Sequence, residues 1–169
     1  MDDLAARRLA ILCPGYVFNT PATINRWVLS LGEKSLNIKV IVLRALVNSW
    51  TTSYRYHEAL LLPCVFGCSK RYPKKVDETL TRDELAHYLV CPPLWRLVSD
   101  ILEQDFSNMR PPERLGVGNV CNFDGIVLAH QMYHYLKQNR YCEVVRSRTN
   151  ADTERLLESA FRFGSAAMR

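Results

Sequence analysis

With 169 residues, 48% of them hydrophobic and 23% charged, the chain has the make-up of one globular unit with a packed core rather than a disordered tail. Its net charge of +5 and pI near 9.0 favour an anionic partner, whether RNA, DNA or an acidic protein face, without dictating one. Six cysteines are too few for a disulfide-dense secreted scaffold, and the apolar run Val40-Ile41-Val42-Leu43 stops at Arg44, far short of the ~20 residues of a membrane span.

A reducing, intracellular setting is therefore expected. Asp2 and Asp3 sit where a mitochondrial transit peptide would carry no acids, whereas Arg7 and Arg8 keep an organellar signal open. Residues 1–35 read as an N-terminal extension punctuated by Pro14-Gly15, Pro21 and Gly32, with a short helix over Ala22 to Leu31 that Trp27 would anchor. From Leu36 to Leu62 the residues Ile38, Ile41, Val42, Ala45, Leu46, Ser49 and Trp50 recur at helical spacing without Gly or Pro, which predicts one long, largely buried helix. The β-branched residues Ile38, Val40, Ile41 and Val42 also suit a strand, and the length of the stretch decides for helix. Pro63 ends it, and Cys64-Val65-Phe66-Gly67-Cys68 predicts a tight turn.

A basic loop follows. Thr81-Arg82-Asp83-Glu84 then has the form of a capping box, predicting a helix to about Cys91 that Pro92-Pro93 stops. An amphipathic helix is expected from Leu94 to Phe106 with Leu94, Leu97, Val98, Ile101 and Leu102 on one face, then loop over 107–123. Asp124 would cap a helix from Gly125 to about Tyr141, and a last one over Asp152 to Phe163 would pack Leu156, Leu157, Ala160 and Phe161. The fold class is thus mainly α, a small helical domain over 36–145 with a C-terminal helix in 146–169.

The strongest chemical signal is the pairing of Cys64 with Cys68 and of His87 with Cys91, each pair four apart and the pairs separated by eighteen residues. A turn and a helix face supplying two ligands each is what a tetrahedral structural zinc requires, and Cys64, Cys68, His87 and Cys91 would close its shell with no open position. The alternative is three buried cysteines acting as small hydrophobes beside a core histidine. Cys13, Cys121 and Cys142 lack a partner at ligand spacing and are expected in the core. His130 and His134 are also four apart on a predicted helix, where packing or surface roles are the default against a second metal site.

The segments Trp50-Thr51-Thr52-Ser53-Tyr54-Arg55, Leu62-Pro63-Cys64-Val65-Phe66-Gly67-Cys68 and Asp83-Glu84-Leu85-Ala86-His87-Tyr88-Leu89-Val90-Cys91-Pro92-Pro93-Leu94-Trp95 together resemble the C-terminal region of non-LTR retrotransposon reverse transcriptases, most closely those of dinoflagellates and their relatives. The resemblance spans about residues 36–140 and is most specific over 50–95. It implies a helix from the thumb region leading into a zinc-knuckle-like segment whose ligands fall on Cys64, Cys68, His87 and Cys91, with Trp95 as the aromatic after the last cysteine. The catalytic half does not carry over: there is no Tyr-x-Asp-Asp motif and no endonuclease carboxylate and lysine set.

A non-enzymatic role is therefore expected, as a zinc-stabilised subunit of a ribonucleoprotein, for example an organellar ribosome, that contacts RNA and neighbouring proteins. Lys70, Arg71, Tyr72, Lys74 and Lys75 interleave cations with one aromatic ring and are the candidate RNA contacts, against the alternative of a solvated loop. The competing reading is a protein-interaction subunit of a respiratory or photosynthetic complex with no nucleic-acid contact.

Overall fold

In a computed structural model, residues 2–13, 15–16, 21–52, 55–57, 63–68, 82–118, 121–139 and 150–167 are described. Among them the secondary structure is helical apart from one isolated antiparallel bridge between Pro63 and Arg82. The helices are α1 (Asp2–Leu12), α2 (Pro21–Gly32), α3 (Leu36–Leu46), α4 (Leu85–Tyr88), α5 (Pro92–Leu102), α6 (Pro111–Arg114), α7 (Asp124–Asn139) and α8 (Asn150–Ala167).

The central element is α7, against which α3, α5 and α8 all pack. Its Ile126, Leu128, Ala129, Met132, Tyr133 and Leu136 are buried around much of the helix circumference, the pattern of a helix enclosed on several sides. Its first turn lies close over Phe106: a Cβ at Gly125 would fall well inside contact distance of that ring. Gly125→Ala is therefore expected to cost ~1–3 kcal/mol through displacement of the Phe106 ring, read as a fall in the midpoint of chemical denaturation.

The described residues of the 1–35 segment share this core. Leu9, Leu12, Cys13, Ile24, Trp27 and Leu31 belong to the same buried cluster as the later helices, and the Trp27 indole Nε1–H donates to the Leu115 carbonyl at 3.0 Å. The helix α1 went unread in the sequence because exposed Leu4 and Ile11 interrupt the periodicity of its inward residues Leu9 and Leu12.

Several element boundaries differ from expectation, among them the end of α5, which stops at Leu102 with Glu103 in a left-handed C-cap rather than running to Phe106. The helix predicted over Leu36–Leu62 ends at Leu46. Asn48 takes a left-handed φ of 52°, Ser49 N–H donates to Arg44 O and Asn48 N–H to Ala45 O, a Schellman-type stop with Asn in the position usually held by Gly. This turns Trp50 back into the core, where its ring lies 5.8 Å from Tyr88 and 4.9 Å from Tyr133. The helix expected over 81–91 is only α4, with Glu84 as its N-cap. Cys91 lies outside it, because the residue before Pro92 is held extended (ψ 109°) and becomes the N-cap of α5, whose first turn contains both prolines. The stretch 107–123 contains the one-turn α6, entered through the Arg110 N–H bond to Glu113 Oε2 at 2.8 Å. In α7, Asp124 is the first helical residue rather than the cap, and its N–H is taken by the Asn122 side chain at 2.9 Å. Of the residues expected to pack from the last helix, Leu157 and Ala160 are buried, Phe161 is 37% exposed, and the Leu156 side chain lies outside those described. The register of α8 is instead set by Gly164, which sits against Ile101, Leu128 and Met132.

Candidate metal centre

The chain brings Cys64, Cys68, His87 and Cys91 together: the four candidate ligand atoms all lie within 4.8 Å of one another and all four side chains are buried. Cys91 Sγ stands 3.7 Å from Cys64 Sγ and 3.3 Å from Cys68 Sγ. Thiolates bound at ~2.3 Å to one tetrahedral ion stand ~3.8 Å apart, so little adjustment separates this arrangement from a filled shell. The group could hold one metal ion.

Local chemistry explains how two distant segments converge. Gly67 adopts φ 73° and its N–H bonds to Cys64 O at 3.0 Å, closing the turn that brings Cys68 back beside Cys64. Within that turn the Phe66 N–H donates to Cys64 Sγ at 3.3 Å, a bond that favours the thiolate form. Val65 and Phe66, within the turn, are buried, and the Pro63–Arg82 bridge ties the chain entering the first pair to the chain entering the second. His87 comes from α4, and Cys91 from the extended residue ahead of α5. The expectation that the last two ligands share one helix face is corrected: Pro92 breaks that helix and rotates Cys91 inward.

The thiols are electrostatically unequal. Burial pushes Cys64 up, but hydrogen bonds from Cys68, Cys91 and His87 outweigh it and hold Cys64 well below the ordinary thiol value. Cys91 is driven well above it, first by burial and then by its hydrogen-bond partners Cys64 and Cys68 and their charge. Cys64 is thus favoured as a thiolate, and Cys91, facing the charge of Cys64 and Cys68, as a thiol, a repulsion that a bound cation would relieve.

Behind the ligands lies a polar network that the sequence did not disclose. Asp83 is 0% exposed and bonds Tyr88 Oη–H at 2.7 Å, Tyr133 Oη–H at 3.3 Å and Lys137 Nζ at 2.6 Å. The Tyr88 hydroxyl in turn accepts the Val65 N–H at 3.3 Å, so α7 is linked through Asp83 and Tyr88 to the Cys64–Cys68 turn. Asp83 is therefore a buried support rather than part of a helix cap; the Thr81 of the proposed capping box lies outside the described residues.

A second support is Arg114, buried at the end of α6. Its guanidinium donates to Phe106 O, Leu89 O and Ser107 O and lies 5.0 Å over the Trp95 ring, fixing the Leu89–Cys91 segment. Trp95, the aromatic singled out by the resemblance, donates its Nε1–H to Tyr88 O at 2.8 Å. Only the run of prolines before Arg114 hinted at a fixed turn there.

Among the described residues this is the one group of three or more His, Cys, Asp or Glu side chains able to share a metal. His130 and His134 pack ring to ring at 4.2 Å, with His130 edge-on to Trp50. Burial, then the neighbouring His134 and Arg44, push His130 down to about 3, so it is a neutral core ring. Cys13 is buried as expected and lines an apolar cleft of about 360 Å³ beside His87, but burial raises it to about 11, the reverse of what a thiol nucleophile needs. Cys121 is half-buried against the core. Cys142 and the candidate RNA contacts Lys70, Arg71, Tyr72, Lys74 and Lys75 lie outside the described residues. In comparisons with known proteins the chain matches no family model, no curated protein and no solved structure.

Proposed function

We propose that this protein is a non-catalytic, zinc-stabilised subunit of a ribonucleoprotein, contacting RNA through the basic segment that separates the two ligand pairs. The observation that carries the reading is the buried Cys3His group, in which two chain segments supply all four positions of a tetrahedral shell and leave none open. Such a shell suits Zn2+, whose preference for thiolate and imidazole donors matches the donor set, and it suits a structural role because no position remains for water or substrate. The zinc would pin both ends of the segment carrying Lys70, Arg71, Tyr72, Lys74 and Lys75, whose cations and one aromatic ring are the RNA contacts of this reading. The net charge of +5 and the resemblance to a nucleic-acid-handling family support the same reading. An organellar ribosome is an assembly of the required kind.

The test is RNA binding by the zinc-loaded chain across a salt series. Replacing Lys70, Arg71, Lys74 and Lys75 with glutamine is expected to weaken binding and to flatten the dependence of log K on log salt by roughly 0.7 to 0.9 per lost phosphate contact, with stability changed by no more than about half a kcal/mol. Wild type that binds no RNA at low salt, or a variant with an unchanged slope, would sink the proposal.

A further inference from the structure

Four of the ten large apolar side chains exposed among the described residues fall on α3 and its C-cap: Leu36 (75% exposed), Val40 (37%) and Leu43 (49%) in the helix and Val47 (53%) capping it. They follow one another at steps of four, three and four. At 3.6 residues per turn they occupy a band roughly 60° wide and about 16 Å long. The opposite face of the same helix carries Ile41, Val42, Ala45 and Leu46 into the core, so α3 is apolar on two sides for two different reasons. A band this narrow, repeating at alternate steps of three and four, is the seam of a helix pair; a membrane-seeking helix presents a broader apolar face.

The flanks say what kind of helix would fit. On one side of the band stands Lys39 and on the other Arg44 and Asn37, with no acid anywhere in α3. Two copies of α3 laid together would therefore oppose cations to cations in either orientation, which disfavours self-pairing.

We propose that the outer face of α3 docks an amphipathic helix of a partner protein, one with aliphatic residues at three-and-four spacing and Asp or Glu on both flanks. Leu36, Val40, Leu43 and Val47 supply the apolar seam, and Lys39 and Arg44 select acidic flanks. The surface uses none of the metal ligands, so the proposal stands whether or not the metal is zinc and whether or not RNA is bound.

The test uses the full, metal-loaded chain as bait for a phage-displayed library of single helices with Leu at the seam positions and Glu, Gln or Lys at the flanks. Glu-flanked helices are expected to be enriched at least about tenfold over Lys-flanked ones, because like charges set across a helix pair are penalised. Leu43→Gln and, separately, Leu36→Gln should abolish the enrichment with the melting temperature unchanged, and Lys39→Glu should shift the preference towards Lys flanks. Equal recovery of all flanks, or no recovery above the Leu43→Gln bait, would overturn the proposal. So would a wild-type dimer lost in Leu43→Gln, or binding to phosphatidylserine vesicles or RNA that Leu43→Gln removes. A fall in melting temperature on Leu43→Gln as large as a core substitution gives would show that the chain itself covers the seam, and would overturn it equally.

Discussion

Cys91→Ser is expected to release the bound metal and, with it, most of the stability of the chain. Cys91 Sγ is the atom that both other sulfurs approach, and its side chain is 0% exposed, so a serine hydroxyl there leaves a poor ligand at the centre of the group. Structural zinc contributes ~10–16 kcal/mol in small metal-folded peptides, a range that equals or exceeds the ~5–15 kcal/mol net stability of an ordinary domain. The variant should therefore lose the fixed packing around the site even if its helices persist, seen as collapse of the near-ultraviolet dichroism from Trp50 and Trp95, and a chelator should do the same to wild type. Cys13→Ser is the control, since Cys13 is also buried in the core but stands outside the Cys3His group. It should keep one zinc per chain by elemental analysis. A Cys91→Ser protein that retains one equivalent of metal and an unchanged melting temperature would show that the four side chains are merely packed together.

The Cys3His group was legible because tetrahedral metal coordination by paired donors is local on both sides: two residues in one turn and two within five positions leave a mark in the sequence itself. What lay between was less so. Asn48 carried a stop signal, since Asn tolerates left-handed backbone, but the apolar periodicity through Trp50 masked it. Pro92 is by itself a sufficient signal that Cys91 is extended, because the ring disfavours helical geometry in the residue ahead of it; the four-residue spacing of His87 and Cys91 pointed the other way. Asp83 and Arg114 were illegible for a deeper reason. Their partners Tyr133, Lys137 and Leu89 are between 25 and 54 residues away, and no spacing rule links a buried charge to partners that only the tertiary fold delivers. The outer stripe of α3 shows the converse, because apolar residues on two sides of a helix read in sequence as one strongly buried element.

Lys137→Met is expected to cost about 3–5 kcal/mol, the usual penalty for breaking a buried ion pair from one side, which for a chain of this size corresponds to a melting temperature roughly 10 °C lower. The carboxylate of Asp83 is fully buried and Lys137 only 13% exposed, so deleting the ammonium strands a charge that two tyrosine hydroxyls can solvate only in part. Asp83→Asn/Lys137→Met should recover part of that loss, since the pair is then replaced by neutral groups and no buried charge remains. A structural pair with no connection to the metal would stop there. Here the Tyr88 hydroxyl passes the restraint on to the Val65 N–H in the turn between Cys64 and Cys68. Asp83→Asn should accordingly weaken zinc affinity ~10–100-fold, as loss of groups behind the ligands does in other zinc sites, measured by competition with a chromophoric chelator under conditions where the variant is still folded. If Lys137→Met shifts the melting temperature by less than about 2 °C, the pair does not carry the stability assigned to it. If Asp83→Asn melts early but holds zinc as tightly as wild type, the network supports α7 alone and the metal centre is held by its own turns.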